Sequence, residues 1–493
     1  MKILELMGYE LIELVKNKEL TIKEIIEQTF ERIKKTEKLI HSFVHLSEDL
    51  AIKKAEQLDY TLKNGKSIGR LYGLPIAIKD CICVKDSPTT CCSKILEGYL
   101  PPYNASVVEK LVNKENAICI GRTNMDEFAM GTSTENSCYG PSYNPWDLKR
   151  VPGGSSGGSG TAVAARQTVF ALGSDTGGSI RCPAAYCGVV GIKPTYGRNS
   201  RYGLISYANS LEQIGPITRC VKDAAILMEI MAGKDSYDST TVDLPVDEYS
   251  KELDKPIKDK TLAIPKEFFR EGVESVVEQK VMDSIEILKD LGAKIIEVSL
   301  PHLEYTIPTY YLIAMSEASS NLERYDGLRY GKMSDNLEGD VFEVFSRTRG
   351  EKFGPEVRRR IILGTYALSA GYYDMFYMKA LKVRNLIKND FQSVFKEADA
   401  IIGPTMPTTA FKIGELIDNP LQMYLMDILT CPVNLAGLPA LSIPCGFDNK
   451  NLPIGFQIIG NYFDEKTILN IGYLLEQELN IYRKYPILNN GGN

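Results

Sequence analysis

The stretch VPGGSSGGSGT at residues 151–161 combines five glycines with three serines, which fits a linker, a phosphate-binding loop or catalytic machinery. It lacks the lysine of a G-x-x-x-x-G-K-[ST] phosphate loop, and it follows the turn-like NPWDLKRVP rather than a buried strand. A flexible linker is disfavoured because an Ala-rich helix is predicted immediately after the glycines. Catalysis is therefore the favoured interpretation, with a serine as the candidate nucleophile.

A serine nucleophile needs a base to take its proton, and the chain has few histidines for that role. The three, His41, His45 and His302, fall near a helix end or in loops, which favours structural or surface positions over a Ser-His-Asp arrangement. Lysine is the alternative base. Lys79 closes the apolar run LPIAIK, where burial would lower the pKa of its ammonium group. A lysine at a strand end also commonly reaches the surface, and the sequence leaves that alternative open.

A second glycine-serine site, GSDTGGSIR, lies downstream of the first. It places Ser179 after two glycines, at the start of the short helical segment SIRCPAAYC. Successive backbone N–H groups at such a turn can converge on one oxygen, and the helix dipole adds to their effect. Because glycine lets the backbone approach a substrate closely, this turn is a candidate oxyanion site.

The elements that must position these residues alternate between strands and helices. Four apolar runs predict buried strands with helices between them, namely LPIAIK, NAICIG, TVFALG and GVVGIK. Downstream, the pattern continues with a helix at 277–291, the strand AKIIEVSL, a long helical stretch at about 356–395 and the strand ADAIIGPT. The fold class is therefore predicted to be α/β, with a largely parallel or mixed sheet.

Most of the chain is predicted to form one domain. A capping box at Thr21 and Glu24 marks the start of a helix near the N-terminus. The tail ends in NNGGN, a composition typical of disorder. The predicted parts are an N-terminal helical segment at 1–65, a catalytic core at 66–230, the remainder of the same α/β domain at 231–485 and a disordered tail at 486–493.

Composition and charge exclude several classes of protein. The 493 residues are 44% hydrophobic and 24% charged, as in ordinary globular proteins. The net charge of −6 disfavours direct binding of nucleic acid. No apolar run approaches the roughly 20 residues that a membrane span needs, and the first residues do not resemble a signal peptide. A cytoplasmic protein without membrane association is expected.

The eleven cysteines include one tight group, which is a candidate metal site. Zinc sites favour C-x₂₋₄-C pairs, whereas this group has CxC and CC spacings and no nearby histidine. We therefore expect buried, reduced thiols and no metal at this group. Its members are Cys81, Cys83, Cys91 and Cys92.

The segments GLPIAIKD, GGSSGGSG and GSDTGGSIR, in this order, resemble the signature of the amidase signature family. The resemblance implies a central mixed sheet covered by helices on both faces, and a serine, cis-serine, lysine triad. Matched position by position, Ser179 becomes the nucleophile, Ser155 the bridging serine in a cis peptide bond, and Lys79 the base. The resemblance also implies an oxyanion hole of backbone N–H groups from Thr176, Gly177, Gly178 and Ser179.

Longer segments, among them LGTYALSAGYYD and MYLMDILTCPVNLAGLPALSIPCG, are similar to the glutaminase subunits of tRNA-dependent amidotransferases. This similarity implies a chain without a cofactor of its own that hydrolyses glutamine and passes ammonia to a partner, the B subunit. That partner would hold misacylated Glu-tRNA(Gln), or also Asp-tRNA(Asn), and use ATP and Mg, while the C subunit stabilises the pair. A stand-alone amidase acting on small amides is the alternative, and a non-catalytic scaffold is a third, disfavoured one.

Glutamine presents an α-carboxylate and an α-ammonium group, and the similarity implies a residue for each. The run EVRRRI matches the carboxylate-binding arginine, which we assign to Arg359, with Arg358 and Arg360 on other faces of the same helix. Asp427 in MYLMDILT matches the residue that receives the ammonium group. Tyr310 is a weaker candidate for lining the same pocket.

The chain departs from the family pattern at two positions beside the signature serines. Cys182 stands where glutamine is common, and Gly160 stands where alanine is common. Neither belongs to the implied triad. Cys182 lies one helical turn past Ser179, so we expect an effect on packing and no catalytic role.

Overall fold

A computed structural model describes residues 2–269 and 272–488 of the chain. Within these residues, eleven strands belong to a single sheet. They are β1 (Phe43–Leu46), β2 (Pro75–Lys79), β3 (Ile118–Thr123), β4 (Phe170–Asp175), β5 (Val190–Lys193), β6 (Gln213–Thr218), β7 (Thr261–Pro265), β8 (Lys294–Val298), β9 (Ala400–Pro404), β10 (Ala440–Phe447) and β11 (Pro453–Gly460).

The sheet is mixed, and its spatial order is β1-β3-β2-β4-β6-β5-β10-β11-β9-β7-β8. Strand β2 pairs in parallel with both β3 and β4, whereas β4, β6, β5 and β10 follow one another antiparallel. At the far side of the sheet, β7 is parallel to both β8 and β9. The predicted α/β class with a mixed sheet is confirmed.

The α-helical segments of the described residues number fifteen, and short 3₁₀ and π turns connect several of them. They are α1 (Gly8–Lys16), α2 (Ile22–Ile40), α3 (Glu48–Lys63), α4 (Ser106–Val108), α5 (Gly157–Ala164), α6 (Arg181–Cys187), α7 (Val221–Met231), α8 (Ser275–Asp290), α9 (Thr306–Asn321), α10 (Val341–Lys352), α11 (Pro355–Leu368), α12 (Lys379–Val394), α13 (Pro420–Leu425), α14 (Cys431–Ala436) and α15 (Glu465–Leu479).

The sheet separates two hydrophobic cores, because successive side chains of a strand point to opposite faces. In β7, Ala263 belongs to one core and Leu262 to the other. In β9, Ile401 and Ile402 divide in the same way. Helices α2, α9 and α12 contribute to the first core, α8 and α15 contribute to the second, and α7 contributes to both. Helices therefore cover both faces of the sheet, as the family resemblance implies.

Two sequence predictions of local structure are wrong. The segment 1–65 is not wholly helical, because β1 lies within it and pairs antiparallel with β3. This four-residue strand is too short to show a clear periodicity, and its extended conformation is stabilised by pairing with a distant strand. The long helical stretch at 356–395 is also broken. Helix α11 ends at Leu368, and Gly371 then adopts a φ of +85°, which suits glycine and ends helical geometry.

The capping box at the start of α2 is confirmed. The Thr21 hydroxyl accepts from the Glu24 N–H at 3.2 Å, and the Glu24 carboxylate accepts from the Thr21 N–H at 2.9 Å. Of the predicted disordered tail, residues 489–493 lie outside the described residues, and 486–488 have no helix or strand. Across the described part of the chain, no helix has both the length and the apolar character that crossing a membrane requires.

The parallel pairing of β2 with β4 creates the edge at which the candidate site lies. The two strands are in register, with Ile78 opposite Leu172, so their carboxyl ends meet. Lys79 is the last residue of β2, and Ser174 and Asp175 close β4. The residues singled out in the two glycine-serine motifs therefore converge at one edge of the sheet.

Candidate active site

Lys79 is completely buried at the end of β2 and is surrounded by serines. Its Nζ bonds to Ser155 Oγ at 2.7 Å, Ser156 Oγ at 2.8 Å and Ser174 Oγ at 3.0 Å. Burial is the main influence on the pKa of Lys79, and it lowers that pKa below its usual value. The alternative that Lys79 reaches the surface is wrong. A buried amine that hydroxyl groups surround is suited to accept a proton from one of them.

The stretch at residues 151–161 is buried throughout, which excludes a flexible linker. The peptide bond between Gly154 and Ser155 is cis, as the family resemblance implies. Helix α5 begins at Gly157, inside the glycines rather than after them. The Ser156 N–H donates to the Ser179 carbonyl oxygen at 3.1 Å, so the two serine-bearing segments are joined directly. The structure thus brings Lys79, Ser155 and Ser179 to one place.

The nucleophile turn presents fewer free N–H groups than the sequence predicts. The Gly178 N–H, which the family resemblance includes in the oxyanion hole, donates to Asp175 Oδ1 at 2.9 Å and is therefore already bonded. Within the described residues, the N–H groups of Thr176, Gly177 and Ser179 have no hydrogen-bond acceptor. They are the donors that remain for an oxyanion. The backbone of Gly178 has a φ of +139°, a conformation that side-chain-bearing residues rarely adopt.

A buried ion pair that sequence reasoning missed shapes this turn. The Asp175 carboxylate receives two hydrogen bonds from Arg181 at 3.0 Å, and both side chains are fully buried. Although burial acts to raise it, the adjacent guanidinium holds the pKa of Asp175 at about 2. Asn434 Nδ2 donates to the same carboxylate at 2.9 Å. Both charged residues lie within GSDTGGSIR, on either side of Ser179, so the sequence contained a signal for this ion pair.

Asp427 lies beside the nucleophile turn with one carboxylate oxygen occupied. Its Oδ2 accepts from Thr132 Oγ1 at 2.9 Å and from the Tyr311 hydroxyl at 3.1 Å. No donor in the described part of the chain bonds to its Oδ1. Burial raises the pKa of Asp427 to about 7. Three residues on, Thr430 Oγ1 donates to the Gly177 carbonyl at 2.6 Å, which fixes this segment against the oxyanion turn.

The structure places Arg360, and not Arg359, beside Asp427. The Arg359 side chain is 42% exposed and pairs with Glu356 at the surface of α11. The Arg360 side chain is only 4% exposed, and Arg360 is close enough to Asp427 to influence the pKa of its carboxyl group. The structure therefore favours Arg360 over the predicted Arg359 as the arginine nearer to Asp427. Successive residues of a helix point about 100° apart, so only one of the three arginines can face the pocket.

The surroundings of Arg360 are aromatic and hold its guanidinium in place. Its Nε donates to Glu356 Oε1 at 2.8 Å and its Nη1 to the Tyr207 hydroxyl at 2.7 Å. The guanidinium carbon lies 5.2 Å from the ring centre of Tyr311 and 5.4 Å from that of Tyr424, within the range of cation–π attraction. Tyr311 therefore contacts both Asp427 and Arg360, a role that the sequence did not indicate.

Tyr310, the weaker candidate for lining this pocket, lies between Tyr311 and the nucleophile turn. Its side chain is buried, and a Cβ added to Gly177 would lie 2.6 Å from its hydroxyl oxygen. Tyr310 and Tyr311 meet edge to face with ring centres 4.9 Å apart. The pocket is thus bounded by charged groups on one side and by the turn that carries Ser179 on the other.

The cysteines lie around the site without joining it. Cys182 is buried beneath the bridging-serine turn, and its Sγ donates to the Thr132 carbonyl at 3.6 Å. In the other group, Cys81 Sγ lies 3.5 Å from Ser174 Oγ, and burial raises the pKa of Cys83 to about 11. Among the described residues, no cluster of His, Cys, Asp and Glu has the geometry to hold a metal ion.

In the described part of the chain, none of the three histidines is hydrogen-bonded to Lys79, Ser155 or Ser179. His41 Nδ1 bonds to the Pro141 carbonyl at 3.0 Å, and His302 Nδ1 bonds to the Asp390 carboxylate at 2.9 Å. His45 belongs to β1. Each histidine therefore has a structural position, and the lysine remains the base candidate.

Residues 24–469 match the family model described as Amidase. The chain belongs to the amidase family. It is 54% identical over 477 residues to the A subunit of the glutamyl-tRNA(Gln) amidotransferase of Thermoanaerobacter pseudethanolicus, covering 97% of each chain. It is 53% identical over 488 residues to the same subunit of Carboxydothermus hydrogenoformans, covering 99% of this chain and 100% of that protein. The chain therefore belongs, within the amidases, to the family that these subunits form.

A solved structure from this group shares the fold. The A subunit of the glutamyl-tRNA(Gln) amidotransferase of Thermotoga maritima is 42% identical to the chain and superimposes with a TM-score of 0.81. The match covers 96% of this chain and 95% of that one. The amidase architecture therefore extends over almost the whole chain.

Proposed function

We propose that this amidase-family chain is the glutaminase subunit of a glutamyl-tRNA(Gln) amidotransferase. The observation that carries the proposal is the position of Asp427 and Arg360 beside the Ser179 turn, to which Thr430 ties the Asp427 segment. A buried carboxylate and a buried guanidinium fit the two charges of a free amino acid. An amide-hydrolysing site that also recognises a free amino acid suits one with a side-chain amide, and similarity to glutamyl-tRNA(Gln) amidotransferase subunits favours glutamine.

Glutamine is held by its two α-substituents. The free Oδ1 of Asp427 accepts from the α-ammonium group, and the Arg360 guanidinium donates to the α-carboxylate. The aromatic rings around Arg360 keep its charge desolvated, which strengthens the interaction with a carboxylate. With both groups fixed, the side-chain amide of glutamine extends toward Ser179.

The catalytic step begins with a proton transfer through the bridging serine. Ser155 passes its proton to the neutral amine of Lys79 and takes the proton of Ser179, whose oxygen forms a bond to the amide carbon. The N–H groups of Thr176, Gly177 and Ser179 donate to the oxyanion that results. The buried Asp175–Arg181 pair keeps this turn in the required conformation.

Collapse of the tetrahedral intermediate breaks the carbon–nitrogen bond. The proton on Lys79 returns through Ser155 to the leaving nitrogen, and ammonia departs from a γ-glutamyl ester of Ser179. A water molecule then gives one proton to the same relay while its oxygen attacks the ester. Glutamate leaves, Ser179 regains its proton, and no cofactor of this chain is consumed.

In this proposal, the ammonia released by the chain is used by a partner subunit. We propose that it passes to the B subunit of the amidotransferase, which binds misacylated Glu-tRNA(Gln), with Asp-tRNA(Asn) as a second acceptor, and activates the acceptor carboxylate with ATP and Mg. The C subunit stabilises the assembly. The net charge of −6 supports leaving contact with tRNA to a partner. Because aminoacyl-tRNAs are made there, the complex is expected to work in the cytoplasm.

The deciding experiment measures ammonia transfer in the assembled complex. Co-purified with its partner subunits, the wild-type chain is expected to support conversion of Glu-tRNA(Gln) to Gln-tRNA(Gln) with glutamine as the nitrogen donor. The Ser179→Ala variant is expected to abolish conversion with glutamine and to retain it with added ammonium chloride. Strong activity of the isolated chain on apolar amides, with none on glutamine, would instead support a stand-alone amidase.

A further inference from the structure

One loop touches both halves of the site. Residues 131–136 form a loop within the segment between β3 and the first glycine-serine motif, and Thr132 and Thr134 lie two positions apart on this loop. The Thr132 hydroxyl donates to Asp427, the carboxylate proposed to bind the ammonium group of glutamine, at 2.9 Å. The Thr134 hydroxyl points to the turn that carries Ser155. Recognition of the substrate and support of the bridging serine therefore depend on neighbouring side chains.

Thr134 spans the Ser155 turn from one end to the other. Its Oγ1 donates to the Gly153 carbonyl at 2.8 Å and accepts from the Gly157 N–H at 3.0 Å. Gly153 and Gly157 lie two residues before and two residues after Ser155, so a single hydroxyl fixes both ends of the turn. The Thr134 side chain is fully buried, which leaves no water to replace these bonds.

The backbone of Thr134 is itself unusual. It adopts a φ of +63°, the left-handed region that a β-branched residue rarely occupies. Such a conformation is strained for a β-branched residue and persists only where the surroundings determine it. The two hydrogen bonds of the hydroxyl group are what this position provides in return, so the local geometry indicates a requirement for the hydroxyl.

Asp126 supplies the constraint that holds Thr134 in place. Its Oδ2 accepts from the Thr134 N–H at 2.8 Å and its Oδ1 from the Asn136 N–H at 3.1 Å. Its own N–H donates to the Ser155 carbonyl at 3.2 Å. A Cβ added to Gly154 would lie 2.2 Å from Asp126 Oδ2, so only glycine fits between this carboxylate and Ser155.

We propose that Thr134, held by Asp126, is the positioning residue that fixes Ser155 for proton transfer. The inference rests on the proposed function, in which Ser155 relays a proton between Lys79 and Ser179. Lys79 Nζ lies 2.7 Å from Ser155 Oγ, and a small shift of the turn would break this hydrogen bond. Thr132, on the same loop, acts through Asp427 on substrate binding alone.

The two threonines give the test its matched pair. In the assembled complex, Thr134→Val is expected to lower kcat for glutamine hydrolysis by about 100-fold, because a misplacement of the order of 1 Å has that effect. Its KM for glutamine should stay within about twofold of wild type. Thr132→Val removes one hydrogen bond to a buried carboxylate, so it should raise KM about tenfold with little change in kcat. Thr134→Ser keeps the hydroxyl and is expected to restore most of the lost kcat.

A remote threonine with the same bonding pattern controls for loss of stability. Thr36 is buried in α2, donates to the Arg32 carbonyl at 2.7 Å and accepts from Gln167 Nε2 at 2.9 Å. Thr36→Val should lower the melting temperature about as much as Thr134→Val while leaving kcat and KM unchanged. If Thr134→Val does not fold, Asp126→Asn tests the same constraint, since an amide cannot accept from both the Thr134 and Asn136 N–H groups.

The outcomes separate this inference from the proposed function. A wild-type kcat in folded Thr134→Val or Asp126→Asn, or a Thr134→Ser variant as impaired as the valine variant, overturns the positioning role. If Ser179→Ala abolishes hydrolysis in the same preparation, the proposed function stands nonetheless. Undiminished hydrolysis of glutamine by Ser179→Ala removes the proposed function itself.

Discussion

Replacement of Arg360 by lysine tests which arginine of α11 binds the α-carboxylate of glutamine. Lysine keeps the positive charge but replaces a planar guanidinium with a compact ammonium group. We expect Arg360→Lys to impair glutamine hydrolysis severely. Arg359→Lys, at the half-exposed neighbouring position, is the matched control and should change kcat/KM by less than about threefold, because a surface pair contributes little.

The size of the expected loss in kcat/KM follows from the contacts of Arg360. Two donors of its guanidinium are committed to Glu356 at 2.8 Å and to Tyr207 at 2.7 Å, while further N–H groups remain for a substrate carboxylate. Complete loss of a buried, hydrogen-bonded charge pair costs about 2–5 kcal/mol, and lysine keeps the charge but not the paired guanidinium bonds, so the lower half of that range applies. A cost of about 3 kcal/mol, in the lower half of that range, corresponds to about a 150-fold loss in kcat/KM.

A substrate without the α-carboxylate distinguishes loss of carboxylate binding in Arg360→Lys from damage to the fold. 4-Aminobutanamide is glutamine without its α-carboxylate, so it retains the amide and the ammonium group. We expect wild type to use it poorly, and Arg360→Lys to use it about as well as wild type does. The assay is ammonia release by the assembled complex over a range of substrate concentrations, with thermal unfolding of each variant measured alongside.

Two results would refute the assignment of Arg360. An equal loss on glutamine and on 4-aminobutanamide would mean that the arginine supports the fold and does not contact the carboxylate. A large loss in Arg359→Lys with none in Arg360→Lys would return the role to the exposed position.

Three further predictions concern groups with displaced pKa values. Lys79→Arg is expected to lower kcat about 10³-fold, because a guanidinium cannot accept a proton, and normal turnover by this folded variant would exclude the lysine as base. Protonation of Asp427, whose pKa is about 7, should lower kcat/KM for glutamine about tenfold per pH unit below that value. This acid limb should weaken with glutaramate, which lacks the α-amino group, and a limb of equal depth with both substrates would contradict the assignment. Since Arg181 depresses the pKa of Asp175 to about 2, its contribution to stability is present above about pH 4 and is lost as the pH falls toward 2. Asp175→Asn should accordingly reduce the free energy of unfolding at pH 7 by about 3–5 kcal/mol in urea titrations, and an unchanged midpoint would argue against the ion pair.

The sequence alone was enough to find the serine-lysine group and six of the described strands, namely β2, β3, β4, β5, β8 and β9. The apolar runs of β2 and β4, for example, are visible without tertiary information. The lysine at the end of β2 and the two glycine-serine motifs are local signals, and their order along the chain carries the family resemblance. Such features depend on a few consecutive residues, so they can be recognised without knowledge of the tertiary packing.

Only the tertiary structure showed how the side chains and backbone N–H groups of the site are oriented. Because residues 358–360 are all arginines, their sequence does not show which of them faces the interior of the protein. The packing of α11 against α9 directs Arg360 inward and Arg359 outward. Likewise, the sequence shows that Gly178 can approach a substrate, but only the position of Asp175 shows that its N–H is already bonded. The strand β1 exists because β3 lies beside it. In each case the deciding partner is distant in sequence or on an unknown face of a helix, so local propensity carries no information about it.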